Sequence, residues 1–490
     1  MTFDPVNFTI AAPLLALAAG ALVILLLDLL LPAKAAQGPW YVFGIASVLL
    51  AGYYLVPLWD GTTPAGFGGA LIMDRFGIVF SVVLLLAALL TMLLSVTRTE
   101  EDKSGYLALV LWGAMGMIVM AGSGSLMAIF LGLELLSLAL YVAVAFDARP
   151  MAREAALKYF VLGSVASAFI LFGFALIYGV TGTMNLAGIA AAAQPGDLFF
   201  KVGIALALVG FGFKLALVPF HVWAPDVYQG APTPITAFMS VGTKAAAFAT
   251  AARFLLATVP PASQARLLLP LAVLAAASML LGATVGIWQS DLKRLMAYSG
   301  IAHAGYLMMA IPGLGAAGMS AAVYYMAAYC FSAMGVFAII SLLESEGEEG
   351  SSFGVLSGLY YRRPALGAAM ALFMFAMAGL PPTGGFIGKF MLATSAVAAI
   401  PTATANAWTL LIALIVSTGI SAYVYLRVVG TVFKKGDSSE SRVRMAGAEG
   451  ALALSPAAVR FGVVTVLVIA VAGTLVLGIL PGPVMQLLGL

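Results

Sequence analysis

The stretch FGFKLALVPFHVWAPDVYQGAPTP, residues 211–234, places a lysine inside an apolar run and then interrupts that run with prolines. Lys214 lies roughly 20 Å along a helix from the preceding lysine, well inside a hydrocarbon core about 30 Å thick. Pro219, His221 and Pro225 follow within eleven residues. A broken helix is tolerated at membrane depth only where its freed backbone groups meet protein or water. The stretch therefore predicts a membrane-spanning helix that is interrupted at a polar site.

The composition of the whole chain indicates a lipid environment. Of 490 residues, 63% are hydrophobic and 9% are charged, with a mean hydropathy of +1.09, whereas soluble domains carry about 25% charged residues. The one cysteine, Cys330, excludes a disulfide framework, a CxxC redox pair and an iron–sulfur cluster held within this chain. No glycine-rich phosphate-binding motif stands between a strand and a helix. The chain is therefore not expected to carry its own energy source.

Apolar runs of about 20 residues, the length that spans a bilayer, occur fourteen times. The first run is too long for a signal peptide and lacks a basic start, which predicts a retained helix. The fold class expected is all-α polytopic membrane protein, with spans 7 and 12 broken by proline and glycine. The predicted spans are 8–31, 39–58, 75–97, 106–121, 124–146, 153–180, 200–220, 233–258, 265–288, 295–312, 318–343, 364–400, 406–433 and 459–488.

Basic residues predict the orientation, because cytoplasmic loops retain Lys and Arg. Fifteen of them lie at the ends of odd-numbered spans and three at the ends of even-numbered ones. The odd-side loops are therefore expected to be cytoplasmic, and both termini to face the periplasm. Two polar connections, 344–363 and 434–458, are too short to be catalytic domains.

Five ionisable residues are predicted to lie inside spans: Glu134, Lys158, Lys214, Lys244 and Lys389. A charge at the bilayer centre costs at least about 2.5–3.5 kcal/mol, so such residues normally face a wet or paired interior and are functional. Lysine suits proton transfer, because burial and a nearby carboxylate move its pKa in opposite directions. A static salt bridge, a snorkelling lysine or a protonated glutamate would also explain any one of them.

Several polar residues near these charges are candidate relays. His221 follows Pro219 at the break of span 7, where capping or packing is an alternative to proton relay. His303 lies in a predicted helix with Ser299 and Tyr306 nearby. The two histidines could also ligate a haem, but they lie in different kinds of segment, which argues against this interpretation.

Spans 7 and 12 are five apart and both carry a lysine, Lys214 and Lys389, next to a proline break. Transporters place such breaks at ion sites, often in both members of an internal repeat. Because five is odd, spans 4–8 and 9–13 would insert in opposite directions as inverted five-helix repeats. The expected division is 1–105 (spans 1–3), 106–258 (first repeat), 259–433 (second repeat, with Pro382 in its break) and 434–490 (polar loop and span 14).

Four segments resemble the antiporter-like proton-channel subunits of respiratory complex I, the bacterial NADH:quinone oxidoreductase. These are EAALKYFVLGSVASAFILFG (154–173), FKLALVPFHVWAPDVYQGAPTPITAF (213–238), DLKRLMAYSGIAHAGY (291–306) and GLPPTGGFIGKF (379–390). The likeness runs from about residue 70 to 433. The PDVYQGAPTP form and a lysine in span 12 look most like the N-type subunit.

The resemblance implies a role for each matching residue. Glu134 and Lys158 would form a carboxylate–lysine pair that acts on the central Lys214. Lys244 and His303 would continue a hydrated path, and Lys389 would release protons on the outer side. No cofactor is implied in this chain, while NADH, FMN, iron–sulfur clusters and quinone would be used by other subunits.

The implied partners are the lipid bilayer of the bacterial inner membrane, an antiporter-like neighbour and small K/J/A-type membrane subunits, with no nucleic acid. Three other functions remain open from the sequence. The chain could be a subunit of a multisubunit cation/proton antiporter or membrane-bound hydrogenase, which share the fold. It could also be a stand-alone transporter, or a structural spacer.

Overall fold

The computed structural model describes residues 5–30, 38–59, 65–97, 103–147, 149–194, 196–311, 316–345, 351–398, 400–435 and 456–487. Nearly all of this chain is helical, and one two-stranded antiparallel ribbon, β1 Ala65–Gly66 with β2 Leu71–Ile72, accompanies the helices. The all-α membrane fold predicted from the sequence is confirmed. Most of the second polar connection lies outside the described residues.

In the first half of the chain, the described residues form eleven α-helices. They are α1 Pro5–Leu30, α2 Gly38–Leu55, α3 Arg75–Ser95, α4 Lys103–Ala121, α5 Leu126–Ala145, α6 Pro150–Thr181, α7 Leu186–Ala192, α8 Leu198–Leu215, α9 Ala224–Gly230, α10 Thr233–Phe238 and α11 Lys244–Thr258. A single π turn, Met239–Thr243, joins α10 to α11 into one continuous span.

The second half continues the same pattern. Its helices are α12 Pro261–Gly286, α13 Leu292–Met308, α14 Ala316–Ser345, α15 Phe353–Leu356, α16 Leu359–Arg362, α17 Pro364–Ala378, α18 Gly384–Ala398, α19 Ile400–Phe433, α20 Pro456–Ile479 and α21 Pro481–Leu487.

Within the described residues, twelve helices are long and apolar enough to cross a membrane. Each of them matches one of the fourteen predicted spans. Predicted span 10 is the 17-residue α13, and predicted span 12 is divided into α17 and α18. The short helix α7 was not predicted.

Capping residues determine where the helices that carry polar groups begin. The side chains of Ser125, Asp197 and Asp291 accept hydrogen bonds from backbone N–H groups in the first turns of α5, α8 and α13, which otherwise lack partners. Pro150 and Pro364 occupy the first positions of α6 and α17, where a missing N–H costs nothing. The sequence therefore sets the start of each of these helices locally.

The span formed by Thr233–Thr258 and the helix α14 lie at the centre of the bundle. The most apolar window of Thr233–Thr258 is 100% buried and that of α14 is 89% buried, whereas the corresponding share for α6 is 39%. Outer helices such as α6 present large apolar side chains outward, among them Leu157, Phe160 and Phe172. Polar groups on the central span and α14 are thereby shielded from lipid.

Both predicted breaks in the membrane helices are present. α8 ends at Leu215 and helix does not resume until Ala224, while α17 ends at Ala378 and α18 begins at Gly384. Each break contains a residue with positive φ, Ala216 (+58°) and Gly379 (+81°), and three positions later a cis proline.

The two breaks also share their hydrogen bonding. Leu217 N–H donates to Gly212 O at 2.8 Å, and Leu380 N–H donates to Phe375 O at 3.0 Å. The two segments therefore end their helices with the same turn.

Close glycine contacts join the helices that carry the predicted site residues. Without a hydrophobic driving force between helices in lipid, association depends on close packing of small residues. A Cβ added to Gly173 on α6 would lie 2.6 Å from the carbonyl oxygen of Gly203 on α8. The approach of α6 to α8 therefore requires glycine at this position.

Replacing Gly173 by valine is expected to separate α6 from α8 and to cost about 1–3 kcal/mol. The amount of the subunit retained in its native assembly, measured by immunoblot of native gels, should fall. Gly179→Val is the matched control, because a Cβ on Gly179 of the same helix meets no atom within 4 Å. Equal losses in the two variants would show that the glycine contact does not matter.

Candidate functional site

The first group in the site is Lys214, which ends α8 two residues before the left-handed Ala216. Its side chain is 2% exposed and donates a hydrogen bond to the Ser137 hydroxyl at 2.7 Å. The ammonium nitrogen lies 5.5 Å from the ring centre of Tyr141 and 5.4 Å from that of Tyr159. Lys214 is therefore held by one hydroxyl and two aromatic faces.

Glu134 lies one turn before Ser137 on α5 and interacts electrostatically with Lys214. Its Oε1 atom is buried and has no hydrogen-bond partner among the described residues. A carboxylate oxygen of this kind requires a donor, and water or a moving side chain supplies one in such sites. Glu134 is thus placed to act on the charge of Lys214.

The predicted pair of Glu134 with Lys158 is wrong in this structure. Lys158 pairs instead with Glu154, one turn earlier on α6, and with Asp226 on α9, both at 2.8 Å. Its side chain is 43% exposed, because α6 begins at Pro150 and places Lys158 near one end of a 32-residue helix. Lys158 therefore does not share the burial of the other three lysines.

Asp226 is a residue that the sequence did not single out. Besides Lys158, it accepts a hydrogen bond from Arg294 on α13 at 2.6 Å. Burial raises the pKa of the Asp226 carboxyl, but hydrogen bonds from Lys158 and Arg294 outweigh burial and lower it below its usual value. The aspartate is therefore a charged junction between α6, α9 and α13.

The break after Lys214 is held from two sides. Val218 N–H donates to the Ser278 hydroxyl on α12 at 2.9 Å, and the Trp223 indole donates to Phe213 O at 2.9 Å. Pro219 is part of this turn, and His221 follows it with a buried Nδ1 that lacks a partner among the described residues. The freed backbone groups are thus met by protein, as a break at membrane depth requires.

Lys244 lies on α11 in the fully buried central span and is 3% exposed. It donates to the Tyr228 hydroxyl at 2.7 Å and to Ser240 O at 3.2 Å. Gly300 of α13 faces it, since a Cβ there would approach the ammonium nitrogen to 2.9 Å. Lys244 therefore lies between α9, α11 and α13.

His303 lies on α13 and is enclosed by tyrosines. Its Nδ1 is 2.5 Å from the Tyr325 hydroxyl and its Nε2 is 3.1 Å from the Tyr425 hydroxyl, which also pairs with Ser299 at 2.6 Å. The Tyr329 ring lies 4.7 Å away, centre to centre. Because the neutral imidazole can donate at one nitrogen and accept at the other, this geometry suits a relay.

Lys389 ends this series of buried polar groups. It is 7% exposed, and its ammonium donates to Met377 O at 3.0 Å and Ala378 O at 3.1 Å, the last carbonyls of α17 before the break that contains Pro382. The same nitrogen lies 4.7 Å from the ring centre of Tyr306, whose hydroxyl is buried without a partner among the described residues.

A cavity of about 10 Å³, lined by His303, Tyr325, Tyr329 and Lys389 among others, separates the histidine from the lysine. A cavity of this size has room for about one water molecule. Lys214, Lys244, His303 and Lys389 are thus all buried, and we call them the interior zone. Between Lys214 and Lys244, the rings of Tyr159, Trp223 and Tyr228 contact one another in sequence. No group of three metal-binding side chains occurs in the described part of the chain.

Comparison with known proteins identifies the family to which a chain with this arrangement belongs. The sequence profile of a family described as NADH:quinone oxidoreductase/Mrp antiporter, transmembrane, matches residues 123–421, which contain all the groups above except Tyr425. The chain belongs to this family. A curated relative from Symbiobacterium thermophilum, named NADH-quinone oxidoreductase subunit N 1, is 62% identical over 98% of both chains. The chain is accordingly similar to the N subunits within the family.

Two solved structures share the architecture. A chain of respiratory complex I from Thermus thermophilus matches with a TM-score of 0.77 and 35% identity, covering 97% of this chain and 98% of that one. A chain of the Mrp complex from Dietzia sp. matches with a TM-score of 0.76 and 22% identity, covering 98% and 99%. The second likeness shows the fold alone.

Proposed function

We propose that this chain moves protons across the membrane as the N-type subunit of NADH:quinone oxidoreductase, by way of Glu134, Lys214, Lys244, His303 and Lys389. The observation that carries the proposal is the set of three buried lysines and a histidine, each of which contacts a serine or tyrosine side chain. Buried ionisable groups of this kind mark ion or proton pathways in membrane proteins. Lysine releases a proton when it is desolvated, which arginine does not.

Charge transfer along this zone begins at Lys214. Glu134 favours the ammonium form of Lys214 through its negative charge, so neutralising or moving that carboxylate releases a proton toward Lys244. The Tyr228 hydroxyl then connects to Lys244, and the Tyr325 and Tyr425 hydroxyls connect to the two nitrogens of His303. Lys158 acts at the water-facing side of this zone through Asp226, and Ser299 and Tyr306 line it.

The energy comes from elsewhere in the enzyme. Moving one charge against 100 mV costs about 2.3 kcal/mol, and the chain holds no redox centre of its own. Quinone reduction in other subunits, which use NADH, FMN and iron–sulfur clusters, supplies it. The partners are the other membrane subunits of the complex, an antiporter-like neighbour and small membrane subunits, together with lipid.

We place the chain in the bacterial inner membrane with both termini in the periplasm. The basic side chains of Arg149, Arg294, Arg363 and Lys435 at the ends of odd-numbered predicted spans support this orientation. The equal geometry of the two breaks supports an inverted repeat of predicted spans 4–8 and 9–13, with the domain limits 1–105, 106–258, 259–433 and 434–490.

Isolation of the tagged chain in mild detergent, followed by native electrophoresis and an NADH-oxidation stain, tests the proposal. We expect the chain to migrate with a large flavin- and iron–sulfur-bearing assembly that oxidises NADH. A large assembly that lacks this activity would favour the antiporter or hydrogenase function instead. A lone species that moves ions in liposomes without a partner would favour a stand-alone transporter.

A further inference from the structure

A second buried cluster of charge lies away from the interior zone described above. Lys293, at the start of α13, is 2% exposed, and its ammonium nitrogen lies 3.6 Å from the Glu344 carboxylate at the end of α14. It also donates to Ala231 O at 3.0 Å and to the Thr233 hydroxyl at 3.3 Å. Thr233 in turn donates to the second oxygen of Glu344 at 2.5 Å. The three side chains form a closed triangle of two hydrogen bonds and one ion pair.

The position of Lys293 differs from the one that the sequence predicts. Lys293 is one of the fifteen basic residues predicted at the ends of odd-numbered spans, and Glu344 begins the polar connection 344–363. In the structure the lysine points into protein, while 26% of the Glu344 side chain remains exposed. The cluster therefore has one acidic group in contact with solvent and one basic group that is sealed from it.

The same three helices lead from this cluster to the centre of the site. On α13, Lys293 precedes His303 by ten residues, or roughly 15 Å. On α10 and α11, Thr233 precedes Lys244 by eleven residues, or roughly 16 Å. On α14, Tyr329 lies fifteen residues before Glu344, and its ring contacts His303. The cluster and the centre of the site therefore lie at two different heights along the same three packed helical segments.

Packing alone does not account for an ion pair here. Replacing a buried ion pair by apolar residues of similar volume is often neutral or stabilising, and ionisable groups inside membrane helices are generally functional. The arrangement also has a direction. A carboxylate that meets water is joined through a hydroxyl, which both donates and accepts, to an amine on the protein side.

We propose that Glu344, Thr233 and Lys293 form the port through which protons from the cytoplasmic side reach Lys244. This inference rests on the proposed function. When Lys293 is neutral, Glu344 takes a proton from water and the Thr233 hydroxyl turns to donate to the Lys293 amine. Thr233 then passes its own proton to the amine as it accepts the proton of Glu344, which is left ionised for the next proton. The Tyr228 hydroxyl is bonded to Lys244 and belongs to α9, the helix that precedes Ala231 and Thr233 along the chain.

Other charged groups surround the port. Arg149, between α5 and α6, and Asp291, which caps α13 and pairs with Ser351, interact with Lys293 electrostatically. Among the described residues, Arg149 forms no ion pair with Glu344. Arg149 disfavours the charged form of Lys293 and Asp291 favours it.

The test is Glu344→Gln in the complete enzyme, purified in detergent and assayed for NADH:quinone turnover across pH. Turnover should fall by about tenfold at alkaline pH, and should recover as the pH is lowered or as formate is added, because a small acid then delivers the proton. Asp28→Asn is the control, since it removes an exposed carboxylate on α1, outside the three helices, and keeps an oxygen that accepts the hydrogen bond from Trp40.

A double variant separates the port from a static ion pair. Glu344→Gln leaves Lys293 buried without its counter-charge, and adding Lys293→Met removes that strain. Recovery of wild-type turnover in the double variant, at every pH, would overturn the port. Continued loss in the double variant that formate does not relieve, because the Lys293 amine is absent, would support it, and this readout remains informative if the single variant assembles poorly.

Failure of the port and failure of the proposed function give different results. Normal turnover in Glu344→Gln, together with loss in Lys214→Met, would overturn the port alone. Normal turnover in both variants would overturn the function on which it rests.

Discussion

Lys214→Met is expected to lower proton pumping and the NADH oxidation coupled to it by roughly 100-fold, the scale of a lost proton-transfer group. Methionine keeps the length and flexibility of lysine and fills the space between Tyr141 and Tyr159. It offers no proton to Ser137 and no charge for Glu134 to act on. The measurement is dye-reported acidification of inside-out membrane vesicles on addition of NADH.

The Lys214→Met variant is expected to keep the fold, because the second break of the same chain has methionine at the equivalent position. Counted from the left-handed residue of each break, Met377 occupies the position that Lys214 holds, two residues earlier in both cases. Methionine is therefore compatible with the end of a helix of this geometry. Lys201→Met on the same helix is the matched control, because Lys201 is exposed and donates only to Gly196 O. Full pumping by Lys214→Met would exclude Lys214 from the path.

The same count pairs Asp226 with Lys389, ten residues after each left-handed position. The two breaks thus share backbone geometry but carry opposite charges in matched places. One break has its lysine before the turn and an acid after it, and the other has methionine before and lysine after. An inverted repeat built this way would offer one buried amine beside each break, before the turn in one half and after it in the other.

The sequence predicts those features of the structure that depend on local properties of the chain. Hydropathy and proline predicted the spans and both breaks, because bilayer thickness and a missing N–H act locally. Burial of Lys214, Lys244 and Lys389 followed from their distance to the nearest span end. The same criterion wrongly predicted that Lys158 is buried, because α6 is 32 residues long and places Lys158 near one end.

The connecting groups could not be predicted in the same way. Tyr228, Tyr325 and Tyr425 belong to helices far apart in sequence, and tyrosine in an apolar helix is as compatible with packing as with relay. Lys293 was misassigned because a lysine beside Arg294 at a helix start has the same local pattern whether it points to water or into protein. Only the packing of α10, α13 and α14 distinguishes the two.

Lys389→Arg is expected to stop proton release almost as completely as Lys389→Met, by roughly 100-fold in vesicle acidification. The guanidinium retains several N–H donors for the carbonyls of Met377 and Ala378, and it keeps the positive charge beside Tyr306. It does not give up its proton at any pH that the enzyme meets.

Comparison of the two substitutions decides what Lys389 does. If the lysine only caps the last carbonyls of α17, arginine should restore what methionine loses, since the unsatisfied carbonyls cost about 1–3 kcal/mol. If the amine itself carries the proton, both variants should assemble in normal amounts and neither should pump. Gly379 admits the stem of residue 389, because a Cβ at that position would lie 2.9 Å from Lys389 Cδ. Pumping by Lys389→Arg at the wild-type rate would leave Lys389 as a structural cap and end the path at His303.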